Sequence, residues 1–238
     1  MLKICAILLS YKRPQNMNAL LADLCELDEV VHIILSNNNP DIDIRTWIDK
    51  EYLNDSKIEI INQSQREHCV KRFELANNSP FDFFICPDDD LFLSKRQYQQ
   101  VFHQFALSPD KVHGVRGQIA MFHRGQSVLK SGLSGIDTEL DILNCFYAFT
   151  RQHITKYFQL MQSNGITDIN ALEFVDDIYL SFCGEGLPRC INVGELKFCE
   201  SQDEVGIATW RETGFDAKRL AVYANLKQQK LMHSVAIA

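Results

Sequence analysis

No apolar run in this 238-residue chain is longer than Ile4–Leu9, far short of the roughly 20 residues a helix needs to cross a bilayer. Nor does that run read as a secretory signal. No small-residue cleavage site follows it, and Tyr11-Lys12-Arg13-Pro14 follows instead. The eight cysteines include no C-x-x-C pair, which argues against a zinc cluster, and the chain is too long for a small disulfide scaffold. They read as reduced, mostly buried thiols of a cytoplasmic protein. Positive charge is in short supply. Lys and Arg number 24 against 31 Asp and Glu, a net charge of -7, which speaks against nonspecific binding of duplex nucleic acid. A phosphate loop G-x-x-x-x-G-K-[ST] is missing, as are H-E-x-x-H and G-x-S-x-G. Gly184-Glu185-Gly186 runs into Leu187-Pro188-Arg189 rather than completing G-x-G-x-x-G. No repeat, low-complexity tract or linker divides the chain.

What is present is ordinary for a globular protein: 46% hydrophobic and 23% charged residues, enough for a continuous core. Strand-length apolar runs at Leu2–Ser10, Val30–Leu35, Ile58–Ile61 and Phe81–Cys86 alternate with helical patterns at Asn16–Leu27 and Arg66–Ala76. Strands apolar on both faces and separated by helices predict a mainly parallel sheet covered on both sides. Further on, helices are expected over Gln97–Ala106, Arg151–Gln162, Ala171–Phe182 and Asp216–Leu231. Val112–Phe122 is expected as a strand and Gly125–Gly135 as a loop-rich segment. Asp141–Phe149 is apolar and aromatic.

In an open parallel sheet, ligands bind beyond the carboxyl ends of the strands. Three such ends are polar here. The first strand runs into Ser10-Tyr11-Lys12-Arg13-Pro14, the second into Asn37-Asn38-Asn39, and the fourth into Asp88-Asp89-Asp90. Asparagine amides both donate to and accept from a base edge or a sugar hydroxyl, though such a segment also makes an ordinary turn. The three carboxylates are harder to explain structurally. They repel one another unless a cation or arginine neutralises them, and a helix cap needs one Asp rather than three. Hard cations such as Mg²⁺ join one or two carboxylates to substrate phosphates. A metal and a diphosphate without a phosphate loop point to transfer from an activated nucleotide donor.

The run Phe83-Phe84-Ile85-Cys86-Pro87-Asp88-Asp89-Asp90-Leu91-Phe92-Leu93-Ser94 resembles the D-x-D segment of GT-A fold glycosyltransferases. It is most similar to the exostosin-like enzymes of glycosyltransferase family 64, with family 2 next. Ile34-Leu35-Ser36-Asn37-Asn38 resembles the strand whose last asparagine meets the uracil, and Asn62–Arg72 the basic helix before the D-x-D. Asp141–Phe149 resembles the acceptor-side segment. Phe174-Val175-Asp176-Asp177-Ile178-Tyr179-Leu180 resembles the family's E-D-I motif, with Asp177 at the catalytic carboxylate and Asp176 replacing glutamate. Lys218-Arg219 matches a basic pair aimed at the diphosphate.

The resemblance implies a GT-A α/β fold with a mainly parallel sheet, formed by one domain over residues 1–238. Residues 1–94 would make the nucleotide-sugar half and 95–238 the acceptor-side half. It implies a metal-dependent, cytoplasmic glycosyltransferase of hexosyl or hexosaminyl type that takes a nucleotide-diphosphate sugar, a UDP-sugar, and a glycan or other hydroxyl acceptor. Asp88 and Asp90 would hold Mn²⁺ or Mg²⁺, with His233 a distant third candidate. Ser10, Tyr11, Arg13, Asn37, Asn38, Arg66, Arg72, Asp88, Asp89 and Arg219 would hold the donor, and Asp177 and Asp176 would act on the transferred group. Trp210 and Tyr147 are candidates for ring stacking. Two other functions share these features: a nucleotidyltransferase acting on a sugar phosphate, which wants a basic glycine-rich loop that Tyr11–Pro14 does not supply, and a non-catalytic nucleotide- or sugar-binding module.

Overall fold

The computed structural model describes the backbone of residues 2–237 and the side chains of residues 2–232. The first half alternates strand and helix: β1 (Ile4–Ser10), α1 (Met17–Cys25), β2 (Val30–Asn37), α2 (Lys50–Leu53), β3 (Ile58–Asn62), α3 (Lys71–Asn78) and β4 (Phe83–Pro87). Short β5 (Leu91–Phe92) then leads into α4 (Lys95–Leu107), followed by β6 (His113–Gly114), β7 (Arg116–His123), β8 (Gln126–Ser134), β9 (Thr138–Glu139), β10 (Ile142–Asn144) and β11 (Phe146–Thr150). The chain closes with α5 (Arg151–Ser163), α6 (Asp176–Ser181), β12 (Arg189–Cys190), β13 (Lys197–Phe198) and α7 (Phe215–Ile237).

The main sheet has the order β3-β2-β1-β4-β11-β6-β12-β9, with β3, β2, β1 and β4 mutually parallel. Both of its faces are covered, because alternate residues of one strand point to opposite sides. Ile4, Ala6 and Leu8 of β1 pack with α1 and α4, whereas Cys5 and Ile7 pack with α3 and α5. The doubly apolar strands of the sequence therefore have their explanation in two cores, one on each face. All eight cysteines are unpaired, and Cys5, Cys86, Cys183 and Cys190 are fully buried. Among the described residues, no helix is long and apolar enough to cross a membrane.

Register brings the functional edge together. Ser10 pairs with Asn37 and Asn37 with Asn62, so β1, β2 and β3 end level. Antiparallel β11 starts where β4 ends, with Phe146 opposite Pro87. Asp88 N–H then donates to the Cys145 carbonyl at 2.8 Å, which draws the end of β10 to the same edge.

Four segments differ from the sequence expectation. In Arg66–Ala76, and in the basic helix read over Asn62–Arg72, residues 63–70 are coil and turn and the helix α3 begins only at Lys71. Gly125–Gly135 is mostly strand: β7 and β8 form a hairpin turning at Arg124 (φ 48) and Gly125 (φ 81). A tight hairpin turn needs two positive φ values, for which glycine is the preferred residue. Val112–Phe122 is split, because β6 stays in the main sheet while β7 joins a three-stranded antiparallel sheet of order β10-β7-β8. Ala171–Phe182 is not one helix either. A 3-10 turn at Ile169–Leu172 is separated from α6 by Phe174, held in the left-handed region at φ 75. That conformation is rare for a bulky residue, and such strain concentrates at functional sites.

Candidate active site

A cavity of about 850 Å³ opens at the carboxyl edge of β1 and β4. Its lining comes from the loop after β1, residues 66–72, the three aspartates, the start of α6, the loop 202–216 and Arg219.

The aspartates are not left to repel one another. Arg72, buried at the start of α3, donates from Nη1 to Asp88 Oδ1 at 2.6 Å and from Nε to the Cys69 carbonyl at 2.9 Å, and its guanidinium lies over the Tyr147 ring. Arg13, also buried, donates from Nη1 to Asp89 Oδ1 at 2.7 Å and sits 3.3 Å from Asp90 Oδ2 through Nη2. The same guanidinium reaches Ser201 Oγ and the Ser201 carbonyl, at 3.1 and 3.0 Å. Two arginines serve three carboxylates, and the shortfall lands on Asp90. Its Oδ1 is buried and has no hydrogen-bond partner among the described residues. Burial, with Asp88 and Asp89 beside it, pushes the Asp90 carboxyl up to about 7. Burial raises Asp89 as well, against the opposing pull of Arg13.

A buried, unpartnered carboxylate oxygen next to a second carboxylate suits a hard cation, which would repay the desolvation that Asp90 now bears. Asp88 and Asp90 are the residues that would hold it. Among the described residues no three His, Cys, Asp or Glu side chains form a ligand set. The side chain of His233 lies outside the described residues.

The second half of the cavity centres on α6. Asp177 meets Arg219 of α7 in a bidentate pair, Nη1–Oδ1 at 2.7 Å and Nη2–Oδ2 at 2.8 Å, with both side chains buried. Asn144 Nδ2 donates to Asp177 Oδ2 at 2.6 Å, and the Ile178 N–H to Oδ1 at 2.8 Å. Arg219 also donates to the Phe174 carbonyl and to Gln118 Oε1, each at 2.7 Å. The strained φ of Phe174 thus aims its carbonyl at the guanidinium. Asp176, next in the chain and equally buried, accepts among the described residues only the Cys69 thiol, 3.3 Å from Oδ1.

The candidates from the sequence divide into those that reach the cavity and those behind it. Tyr11, Arg13, Asn38, Arg66, Arg72, Asp88, Asp89, Asp90, Asp176, Asp177 and Arg219 line it. Arg66 is exposed and lies over the Tyr11 ring at 5.0 Å. Ser10 and Asn37 stand behind the lining. The Ser10 carbonyl takes the Asn38 N–H at 2.7 Å, and the Asn37 amide is spent on Asn39 O, Ile42 O and Asn62 Oδ1. Asn38, just past the end of β2, does line the cavity, with its Oδ1 accepting from Ser36 Oγ at 2.9 Å and its Nδ2 donating to the His68 carbonyl at 3.2 Å. Arg219 was expected at a diphosphate. All four of its Nη hydrogens are engaged by Asp177, Gln118 and Phe174, so its position is that of a clamp on α6. Trp210 and Tyr147 both line the cavity. Among the lining residues that sequence reading did not single out are Gln118, Asn144 and Cys69. Asn144 carried a signal, as a polar residue inside the apolar run 141–149, while Gln118 and Cys69 carried none.

The fold is that of GT-A glycosyltransferases. No family model matches the chain, and no curated protein matches it. Among solved structures the chain is similar to S. aureus TarS 1-349, a GT-A-type glycosyltransferase, at 12% identity and a TM-score of 0.55, covering 84% of this chain and 61% of that one. It is likewise similar to S. aureus TarS 1-349 in complex with UDP, at 13% identity and a TM-score of 0.56, covering 82% and 59%. The chain therefore spans about three fifths of the length of those structures.

Proposed function

We propose that this chain is a metal-dependent glycosyltransferase that moves a sugar from a nucleotide-diphosphate donor, a UDP-sugar, to a hydroxyl of a glycan or similar acceptor. One observation carries the reading: at the end of β4, Asp88-Asp89-Asp90 faces an 850 Å³ cavity with two arginines and one buried, unpartnered carboxylate oxygen. The UDP bound to the similar TarS fold supports the choice of donor. The whole chain would act as one domain in the cytoplasm, residues 1–94 holding the nucleotide and 95–238 the acceptor side.

The leaving nucleoside diphosphate gains negative charge as the sugar departs, so catalysis needs fixed positive charge where that charge appears. A divalent cation on Asp88 and Asp90 would supply Lewis-acid stabilisation of the diphosphate. Arg72 adds a buried guanidinium beside it, and guanidinium–phosphate bonds are among the stronger charge-assisted contacts. Asn38 and Tyr11 line the β1–β2 side and would hold the nucleoside. Acid–base work falls to the carboxylates that open α6, which line the same cavity.

Slow donor hydrolysis requires no knowledge of the acceptor, because water can replace it. Incubating the protein with a panel of nucleotide sugars and Mn²⁺ should release UDP from at least one UDP-sugar. Failure to release a nucleoside diphosphate from any member of the panel, with Mn²⁺ or Mg²⁺, would remove the proposal.

A further inference from the structure

The two carboxylates that open α6 are chemically unequal. A carboxylate has about four lone-pair sites, and Asp177 has filled them: Oδ1 accepts from Arg219 Nη1 and the Ile178 N–H, and Oδ2 from Arg219 Nη2 and Asn144 Nδ2. A proton could arrive only by breaking a bidentate contact with a buried guanidinium. Asp176 is different. It lines the same cavity, its Oδ1 accepts a thiol, and no described residue donates to Oδ2. A thiol is a weak donor.

Resting on the donor reading above, we propose that Asp176, and not Asp177, is the carboxylate that takes the proton of the attacking hydroxyl. In the step, the acceptor oxygen forms a bond to the anomeric carbon as the bond from that carbon to the diphosphate oxygen breaks. The electron pair leaves with the nucleoside diphosphate, and the hydroxyl proton passes to Asp176 Oδ2 and then to solvent. Asp177 is a positioning residue, locking the first turn of α6 to Arg219 of α7 and to Asn144 at the end of β10.

The electrostatics agree with this division. Burial pushes the Asp176 carboxyl up to about 6. Arg72 and the Cys69 thiol pull it down, while Asp177 and Asp88 push it up, and Arg219, Tyr147 and Tyr157 also face its charge. A base serves best with a pKa near the working pH. Burial and the Asp176 charge also hold the Cys69 thiol far above its ordinary value, so it stays protonated and remains a donor.

The experiment compares wild type, Asp176→Asn, Asp176→Glu and Asp177→Asn by UDP-sugar hydrolysis on both sides of pH 6, by calorimetric UDP binding and by thermal melting. Wild-type turnover should rise with pH through an ionisation near 6. Asp176→Asn should keep its melting temperature and UDP affinity, lose on the order of 10²-fold or more in kcat and lose the ionisation. Asp176→Glu should restore part of both. Asp177→Asn should melt lower yet show the same ionisation wherever it is folded. An Asp176→Asn protein with wild-type kcat and an intact ionisation overturns the assignment, as does a folded, UDP-binding Asp177→Asn protein that lacks the ionisation. A wild type inactive on every nucleotide sugar overturns the donor reading and this assignment together, whereas an active wild type beside an active Asp176→Asn overturns the assignment alone.

Discussion

Arg219 grips both oxygens of Asp177 at 2.7 and 2.8 Å, with each side chain almost wholly buried. Forty-two residues separate them in sequence, so this pair fastens α7 to α6 and fixes one wall of the cavity. Removing one member of a buried ion pair leaves the other charge uncompensated, at a cost of about 3–5 kcal/mol. Asp177→Asn is therefore expected to lower stability by that order in urea unfolding. Adding Arg219→Met should recover part of the loss. An Asp177→Asn protein as stable as wild type would contradict the clamp.

Arg72 spends Nη1 on Asp88 and Nε on the Cys69 carbonyl, while no described hydrogen bond uses Nη2. That nitrogen is the donor left for a phosphate. Arg72→Ala is expected to weaken UDP binding by about 1.5–3 kcal/mol, the range for a charged hydrogen bond. Uridine, with no phosphate, should bind the variant and the wild type alike. Calorimetry with both ligands checks this, and equal UDP affinity for the two proteins would take Arg72 out of the site.

Stability should also depend on His113, buried in β6 with Nδ1 on the Lys111 carbonyl and Nε2 on Ser108 Oγ, each at 3.0 Å. Burial is the main cause lowering its pKa from 6.5 to about 4. Between those values the unfolded chain binds the proton and the folded chain does not, so stability falls as pH drops from 6.5 towards 4, by up to about 3 kcal/mol. His113→Asn should lose less unfolding free energy between neutral pH and pH 5 than wild type does. The same loss in both proteins would show that His113 is not the group responsible.

Periodicity and charge crowding made much of this architecture legible. Leu2–Ser10, Val30–Leu35 and Phe81–Cys86 are apolar on both faces because each side of the sheet has its own core, and that pattern shows in one dimension. Asp88-Asp89-Asp90 stood out because three adjacent carboxylates have no ordinary structural use. Partners distant in the chain were invisible. Nothing near Arg219 announces Asp177, and nothing near Cys69 announces Asp176. Gly125, Gly132 and Gly135 suggested a loop where β8 pairs with β7, since strand pairing overrode the local composition. The asparagines showed their chemistry but not their direction: Asn38, past the end of β2, lines the cavity while Asn37 closes a turn.

The most direct test is calorimetric titration of UDP into wild type and Asp90→Ala, with Mn²⁺ and again with EDTA. Asp90 Oδ1 is a buried carboxylate oxygen with no hydrogen-bond partner among the described residues, so a cation seated there should link protein and diphosphate. The expected result is UDP binding that tightens markedly with Mn²⁺ in wild type, a gain lost in Asp90→Ala. UDP affinity that EDTA leaves unchanged, or no UDP binding at all, would contradict it.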